Sequence, residues 1–393
     1  MFSLEKFYFI LYANLLKPAS MGDTYFYPFG SIDVSNMTTT QPLEISKQPY
    51  PYHYCFYYDQ EPFSGNVATS CNNHKKTMPY YNKDSLMMLA TGESSAEIDT
   101  WCEQNNYKNW YYFFHGFAAL DWYRDYQYLP KFENQFTKVF ITYNRLVTEK
   151  RSYRLNFVAR LMQKELLKFG HVSLILEDNG HGTWQQELNE PTTLLSVPAK
   201  TLINEQIGSL SHSLIIDKEN PPGHASADTG YEELMMHKSA LWHVVTETVF
   251  YDDKLHLTEK IFKPITAKRP FMLMGAVNNL AYLKSYGFKT FDQWIDESYD
   301  QEADPDRRIA LIVAELEKLC KLGDAKLNVM YKEMQDVLEF NFNHFYGEFK
   351  KIIVNELVLN FKDIITNWNS QDSKYPIDLN HIDFDQVVKL LSQ

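Results

Sequence analysis

The sequence predicts an α/β protein built on parallel strands and closed by a helical C-terminal segment. Val139-Phe140-Ile141 reads as a strand, Leu155, Val158, Met162 and Leu166 recur as one helical face, and 172–176 reads as a second strand. Strand, helix and strand in that order form a parallel crossover unit. The rhythm returns downstream, with a strand at 242–250, a short helix at 258–267, a strand at 271–274 and a helix at 278–286 that stops at Gly287. An amphipathic helix at 307–322 then ends at Gly323, and most of 326–367 continues as helix, with Phe340, Phe342, Phe345, Phe349, Ile352 and Ile353 as its apolar positions.

Taken from the N-terminus, the apolar run 7–16 is broken by Asn14 and falls short of the roughly 20 residues a membrane helix needs, so it is expected to be the first packed element and not a span. No small-residue cleavage site follows it in Lys17-Pro18-Ala19-Ser20-Met21. The aromatic runs 54–58 and 110–114, each followed by polar or turn residues, read as buried strands. Gly170 is expected to close the helix that begins near Leu155. The stretch 178–230, with Asn220-Pro221-Pro222-Gly223, reads as short helices and loops. The expected organisation is an N-terminal domain over 1–135, a second domain over 136–325, and a helical segment over 326–393 that straps the two together.

A chain of 393 residues that is 45% apolar and 22% charged can build a substantial core, which removes disordered and low-complexity classes. The net charge of −12 disfavours a nucleic-acid partner without removing it, because a basic groove need occupy only one face. Cys55, Cys71, Cys102 and Cys320 form no Cys-x-x-Cys pair, so the expectation is a reducing compartment and a cytoplasmic location, that of the host if the chain is viral.

In an open parallel sheet, ligands bind beyond the carboxyl ends of the strands. The residues there are Asp59-Gln60-Glu61-Pro62, Asn144-Arg145, Glu247 with Thr258-Glu259-Lys260, and 291–300. Thr258-Glu259-Lys260 puts a carboxylate and an ammonium at a helix start, an arrangement suited to a nucleoside diphosphate; the plainer reading is a Thr258 cap with Glu259 favouring the helix dipole. Asp59 and Glu61 are expected on one side of the chain by strand alternation. His115-Gly116 follows the run 110–114; His115 is either a ligand-facing side chain or a core histidine, and Gly116 would let backbone approach a ligand.

Trp242-His243-Val244-Val245-Thr246-Glu247-Thr248 followed by Leu257-Thr258-Glu259-Lys260-Ile261-Phe262-Lys263 resembles the donor site of the α1,3-fucosyltransferases, with Thr246-Glu247-Thr248 in place of that family's Phe-Glu-Asn. The stretch through Phe288-Lys289-Thr290-Phe291 and Asp296-Glu297-Ser298-Tyr299-Asp300 is similar to glycosyltransferase-like proteins of phages and bacteria. The resemblance spans about 50–310 and is concentrated in 240–300. It implies two facing Rossmann-like domains (a GT-B-like fold), a GDP- or UDP-sugar held by the second domain, and a glycan or other hydroxyl acceptor held mainly by the first. It also implies that Glu259 and Lys260 bind the nucleotide and that an arginine holds the diphosphate. Arg145 is the positional match, with Arg151 or Arg154 as fallbacks. Asp59-Gln60-Glu61-Pro62 resembles the family's Glu-Ser-Pro segment, which makes Glu61 the general base and Asp59 its competitor.

No metal and no further cofactor is expected: Asp252-Asp253 lacks the Asp-x-Asp spacing, and Cys71-x-x-His74 has no matching second pair. Without a Walker loop or a Gly-x-Gly-x-x-Gly, an ATPase or dehydrogenase is not indicated. Two alternatives stay open, a glycosyltransferase acting on hydroxymethylated bases of phage DNA and a non-catalytic carbohydrate-binding protein of the same fold.

Overall fold

The computed structural model describes residues 3–19, 21–24, 53–77, 84–128, 136–178, 181–216, 236–371 and 373–393. The turn Asn220-Pro221-Pro222-Gly223 lies outside them, as does the side chain of His74. The chain divides into two compact units, Met1–Asp121 with Phe349–Gln393, and Trp122–Glu348.

The first unit opens with α1 (Leu4–Leu11), whose first turn is capped by the Ser3 hydroxyl accepting from the Lys6 N–H. Phe7, Leu11, Leu15 and Leu16 are fully buried, so the run 7–16 is a packed element. Strands β1 (Met21–Thr24), β2 (His53–Tyr58), β3 (Met87–Thr91) and β4 (Lys108–Tyr111) pair in that order, all parallel. Helices α2 (Gly65–Thr77) and α3 (Ala96–Gln104) supply the crossovers between β2, β3 and β4. Alternate side chains of the central strands, Tyr54, Phe56, Met87 and Leu89, pack with Val67 and Cys71 of α2 and Ile98 and Cys102 of α3. On β2, Tyr57 meets Tyr8 of α1 edge-on at 5.7 Å. A sheet covered on both faces explains why its strands read as continuous apolar runs and not as alternating ones.

The run 110–114 is not one strand. Pairing stops at Tyr111, and α4 (Phe114–Trp122) begins three residues later. Every residue from Phe114 to Leu120 is buried, so this helix is apolar all round and its aromatic start cannot be told from a strand by periodicity. Gly116 faces no ligand. A Cβ there would lie 2.8 Å from the ring of Phe349, so the missing side chain lets the C-terminal helix Glu348–Ser370 pack against α4. The indole N–H of Trp110 donates to the Leu357 carbonyl at 3.1 Å and fixes that same helix to β4.

In the second unit, β5 (Lys138–Thr142), α5 (Tyr153–Gln163) and β6 (Gly170–Val172) form a parallel crossover, but β6 meets the strand expected at 172–176 only at Val172. Gly170 does not close the helix. Glu165 does so nearby at φ 55°, while Gly170 opens β6, where a Cβ would meet the Phe140 ring at 2.4 Å. A short hairpin, β7 (Glu177–Asp178) with β8 (Gly182–Thr183), leads into α6 (Trp184–Asn189) and α7 (Val197–Gln206). Strands β9 (Ala240–Thr246) and β10 (Phe271–Met274) complete a parallel sheet of order β10-β9-β5-β6. β9 ends four residues before its apolar run does, because Phe250 is buried for another reason: it stacks on Tyr153 at 4.1 Å beneath the Arg308 guanidinium. The helical stretch expected over 326–367 is three helices, Asp324–Glu333, Gln335–Tyr346 and Glu348–Ser370.

The segment 296–300 acts as an internal staple. Asp300 accepts from the N–H groups of Leu280 (2.8 Å) and Ala281 (3.1 Å) and so caps the helix Asn279–Ser285, and Glu297 accepts from the Phe291 N–H and the Thr290 hydroxyl, both at 2.7 Å. Burial raises the Asp300 carboxyl pKa, and the two N–H groups oppose it. Asp300→Ala leaves one buried and one part-buried donor unmet and is expected to lower stability by about 1–2 kcal/mol, read as an earlier urea midpoint at constant slope. Asp300→Asn keeps an acceptor and should recover most of that loss; equal losses for both would remove the capping role.

Candidate active site

At the carboxyl edge of the second sheet, Glu247 follows β9 and stays in the ladder, its N–H donating to the Met274 carbonyl at 3.0 Å. Its carboxylate accepts from the Thr258 hydroxyl at 2.5 Å and from the Thr258 N–H at 3.3 Å, which draws the chain back after an excursion of about ten residues. Thr258 in turn caps the short helical turn Glu259–Ile261 that runs into Phe262–Thr266. Lys260 Nζ donates to the Thr258 hydroxyl at 3.0 Å and to Glu259 Oε1 at 3.3 Å. Glu247, Thr258, Glu259 and Lys260 are thus brought together in one hydrogen-bonded chain.

Their exposure separates their roles. Glu247 and Thr258 are buried, whereas the side chains of Glu259 and Lys260 are 15% and 35% exposed. The first two brace the turn and the last two present its chemistry. Burial pushes the Glu247 carboxyl pKa up; the Lys260 charge and the Thr258 donors hold it down. The helix is too short for much of a dipole, so the positive charge here is the ammonium of Lys260.

Arg145 follows β5, the neighbour of β9 in the sheet, and its side chain is exposed. Arg154, a fallback for the diphosphate, is committed elsewhere. It is buried, and its guanidinium donates to the carbonyls of Leu146 (2.9 Å), Thr246 (2.9 Å) and Glu247 (3.2 Å). With the Tyr153 hydroxyl, which donates to the Glu247 carbonyl at 2.6 Å, it braces the loops after β5 and β9. Arg151 lies half-buried on the turn Glu149–Arg151.

In the first unit, Asp59 and Glu61 do not share a side. Asp59 is buried, accepting from the hydroxyls of Tyr8 (2.9 Å) and Tyr112 (2.5 Å), and Glu61 is exposed. β2 ends at Tyr58, so strand alternation does not extend to these residues. Three contacts fix the turn that carries them. His115 Nε2 donates to the Gln60 carbonyl at 2.8 Å, Glu93 accepts from the Phe63 N–H at 2.6 Å, and Gly92 lies so close that a Cβ would meet the Asp59 carbonyl at 2.3 Å. Glu93, itself buried, also accepts from the hydroxyl of Ser95, the cap of α3. His115 therefore holds the turn through its backbone. Gly92 and Glu93 escaped the sequence reading because β3 did; a Gly-Glu pair directly after an apolar run was the available signal.

Burial raises the Asp59 carboxyl pKa from 3.8 to about 6, against the pull of the Tyr112 and Tyr8 hydroxyls. The folded chain holds this proton more tightly than the unfolded one, so the stabilisation is complete below about pH 4 and is lost as pH rises through about 6. Asp59→Asn is expected to flatten the stability curve between about pH 4 and pH 7 by roughly 3 kcal/mol. Urea unfolding at the two pH values checks it, and parallel curves for variant and parent would contradict the assignment.

Among the described residues no group of three or more His, Cys, Asp or Glu side chains is placed to hold a metal ion, and no helix is long and apolar enough to cross a membrane. No protein-family model matches the chain, and neither does any curated protein. Among solved structures, the chain is similar to the DNA-modifying enzyme β-glucosyltransferase, solved in the presence and absence of its substrate uridine diphosphoglucose, at 9% identity and a TM-score of 0.39 over 78% of this chain and 74% of that one.

Proposed function

We propose that the chain is a glycosyltransferase that moves a sugar from a GDP- or UDP-sugar to an acceptor hydroxyl, with a glycan as the acceptor. The observation that supports it is the turn 258–260: the buried Glu247–Thr258 pair presents the Glu259 carboxylate and the Lys260 ammonium side by side at the carboxyl edge of a parallel sheet. A carboxylate there accepts hydrogen bonds from the two ribose hydroxyls, and the ammonium neutralises charge on the departing nucleoside diphosphate. Arg145 adds a two-pronged donor for the same phosphates. The resemblance of 240–300 to the fucosyltransferases and their phage and bacterial relatives supports the same assignment of Glu259 and Lys260.

On the acceptor side, Glu61 is the base that removes the hydroxyl proton as the anomeric carbon is attacked. Its exposure on a turn held by His115, Glu93 and Gly92 suits that role, and the burial of Asp59 beneath two tyrosines suits an organising one. No metal enters the scheme, because Lys260 and Arg145 supply the charge.

A thermal-shift panel of GDP- and UDP-sugars tests the reading. At least one is expected to raise the melting temperature and to release its nucleotide when acceptor glycans are added. Hydroxymethylated DNA in the acceptor panel separates the second acceptor class. Binding without release of nucleotide under any condition would leave a carbohydrate-binding protein, and no binding at all would end the proposal.

A further inference from the structure

A concave site lies on the second unit between α6 and α7. Its volume is about 390 Å³, and it shares no residue with the turn 258–260. That volume falls within the roughly 300–1,000 Å³ of small-molecule sites. Trp184 and Leu188 form its apolar wall, and the carboxamides of Gln185, Asn189 and Asn204 with Lys200 and Thr201 form the rest. Among the described residues no carboxylate lines it, although the chain carries 50 acidic residues against 38 Lys and Arg.

The polar groups of this cleft are unequal in commitment. Asn189 and Thr201 bond to carbonyls of their own helices, Gln185 O at 2.8 Å and Val197 O at 3.2 Å. Among the described residues, the Trp184 indole N–H, the carboxamides of Gln185 and Asn204 and the half-buried Lys200 ammonium have no hydrogen-bond or ion-pair partner within the chain. Trp184 is 8% exposed, so only an edge of its ring reaches the cleft.

The walls are held in place. α6 opens with a capping box between Thr183 and Gln186, and Glu187 on its inner side accepts from the Glu149 N–H at 2.7 Å. α7 starts at Ser196, whose hydroxyl caps the helix and also bonds to Asp306. Rigid walls lower the entropic cost of engaging a ligand.

We propose that the α6–α7 cleft binds a short oligosaccharide. Carboxamides both donate and accept, as sugar hydroxyls do, and Leu188 with the edge of the Trp184 indole gives an apolar contact for the C–H groups of a pyranose ring. One ammonium is too little charge for a nucleic-acid backbone, where each phosphate contact calls for a cation. The inference does not depend on the donor reading of Glu259 and Lys260.

Saturation-transfer NMR on the full chain with maltotriose, cellotriose and chitotriose tests it. At least one trisaccharide is expected to receive saturation, with affinity weakened tenfold or more in the Lys200→Ala/Asn204→Ala double variant and in Gln185→Ala, and unchanged in Lys260→Ala. Circular dichroism confirms that each variant is folded, and the two independent cleft variants guard against a folding artefact in either. No transfer to any of the three sugars overturns the proposal, as does equal affinity in both cleft variants. Loss of binding in Lys260→Ala alone would move the sugar to the turn 258–260 and overturn it too.

Discussion

Lys260→Ala is expected to weaken GDP and UDP binding by about 10- to 100-fold, the range for losing a charge-assisted hydrogen bond to phosphate. The thermal transition should stay close to that of the parent. Lys260 is 35% exposed and its ion pair with Glu259 is solvated, so the pair itself contributes at most about 1 kcal/mol. The buried Glu247–Thr258 contact that shapes the turn does not pass through the lysine. Lys260→Arg keeps the charge and should restore part of the affinity. Glu259→Gln makes the complementary cut, because it weakens the grip on ribose and leaves the phosphates alone. GDP and its 2′,3′-dideoxy analogue should then bind almost equally to the Glu259→Gln variant and unequally to the parent. Calorimetry on the four proteins decides the matter, and unchanged GDP and UDP affinities in Lys260→Ala would falsify the nucleotide site.

The turn 258–260 was readable from sequence because its members are neighbours in the chain and follow a strand. β5 and β10, with Val139, Ile141 and Phe271 among their residues, had the composition of strands. β3 lacked it: in Met87-Met88-Leu89-Ala90-Thr91 only the last residue is β-branched and none is aromatic, and with the strand went Gly92 and Glu93. The contacts that sort Asp59 from Glu61 leave no local trace at all. Tyr8 reaches Asp59 from 51 residues away and Tyr112 from 53, and either tyrosine read alone is one more aromatic in a chain that is 15% aromatic. The fate of Arg154 was hidden for the same reason, since its partners are backbone carbonyls on two loops. Sequence patterns thus located the ends of β2, β5 and β10 but not those of β4, β6 and β9, and the direction of each side chain there was decided by long-range partners.

That division bears directly on which carboxylate takes the proton. Glu61→Gln keeps the shape of the side chain and removes its basicity, and it is expected to lower kcat by about 10²- to 10⁴-fold, the usual contribution of a general base. Donor affinity should be unaffected, because the change lies on the other unit's sheet from Glu259 and Lys260. His115→Ala and Glu93→Gln provide the contrast: each releases one anchor of the turn 59–63, at the Gln60 carbonyl or the Phe63 N–H, and leaves the Glu61 carboxylate in place. Those two variants keep the carboxylate and loosen only the turn that aims it, so turnover should fall by less than in Glu61→Gln. If Glu61→Gln turns over at the parent rate, the proton must go to Asp59 or His115. His115 would take it at Nδ1, the ring nitrogen opposite the one that donates to the Gln60 carbonyl, and Asp59 beneath its two tyrosines; both side chains are buried, so either outcome would require the turn itself to open to the acceptor during the reaction.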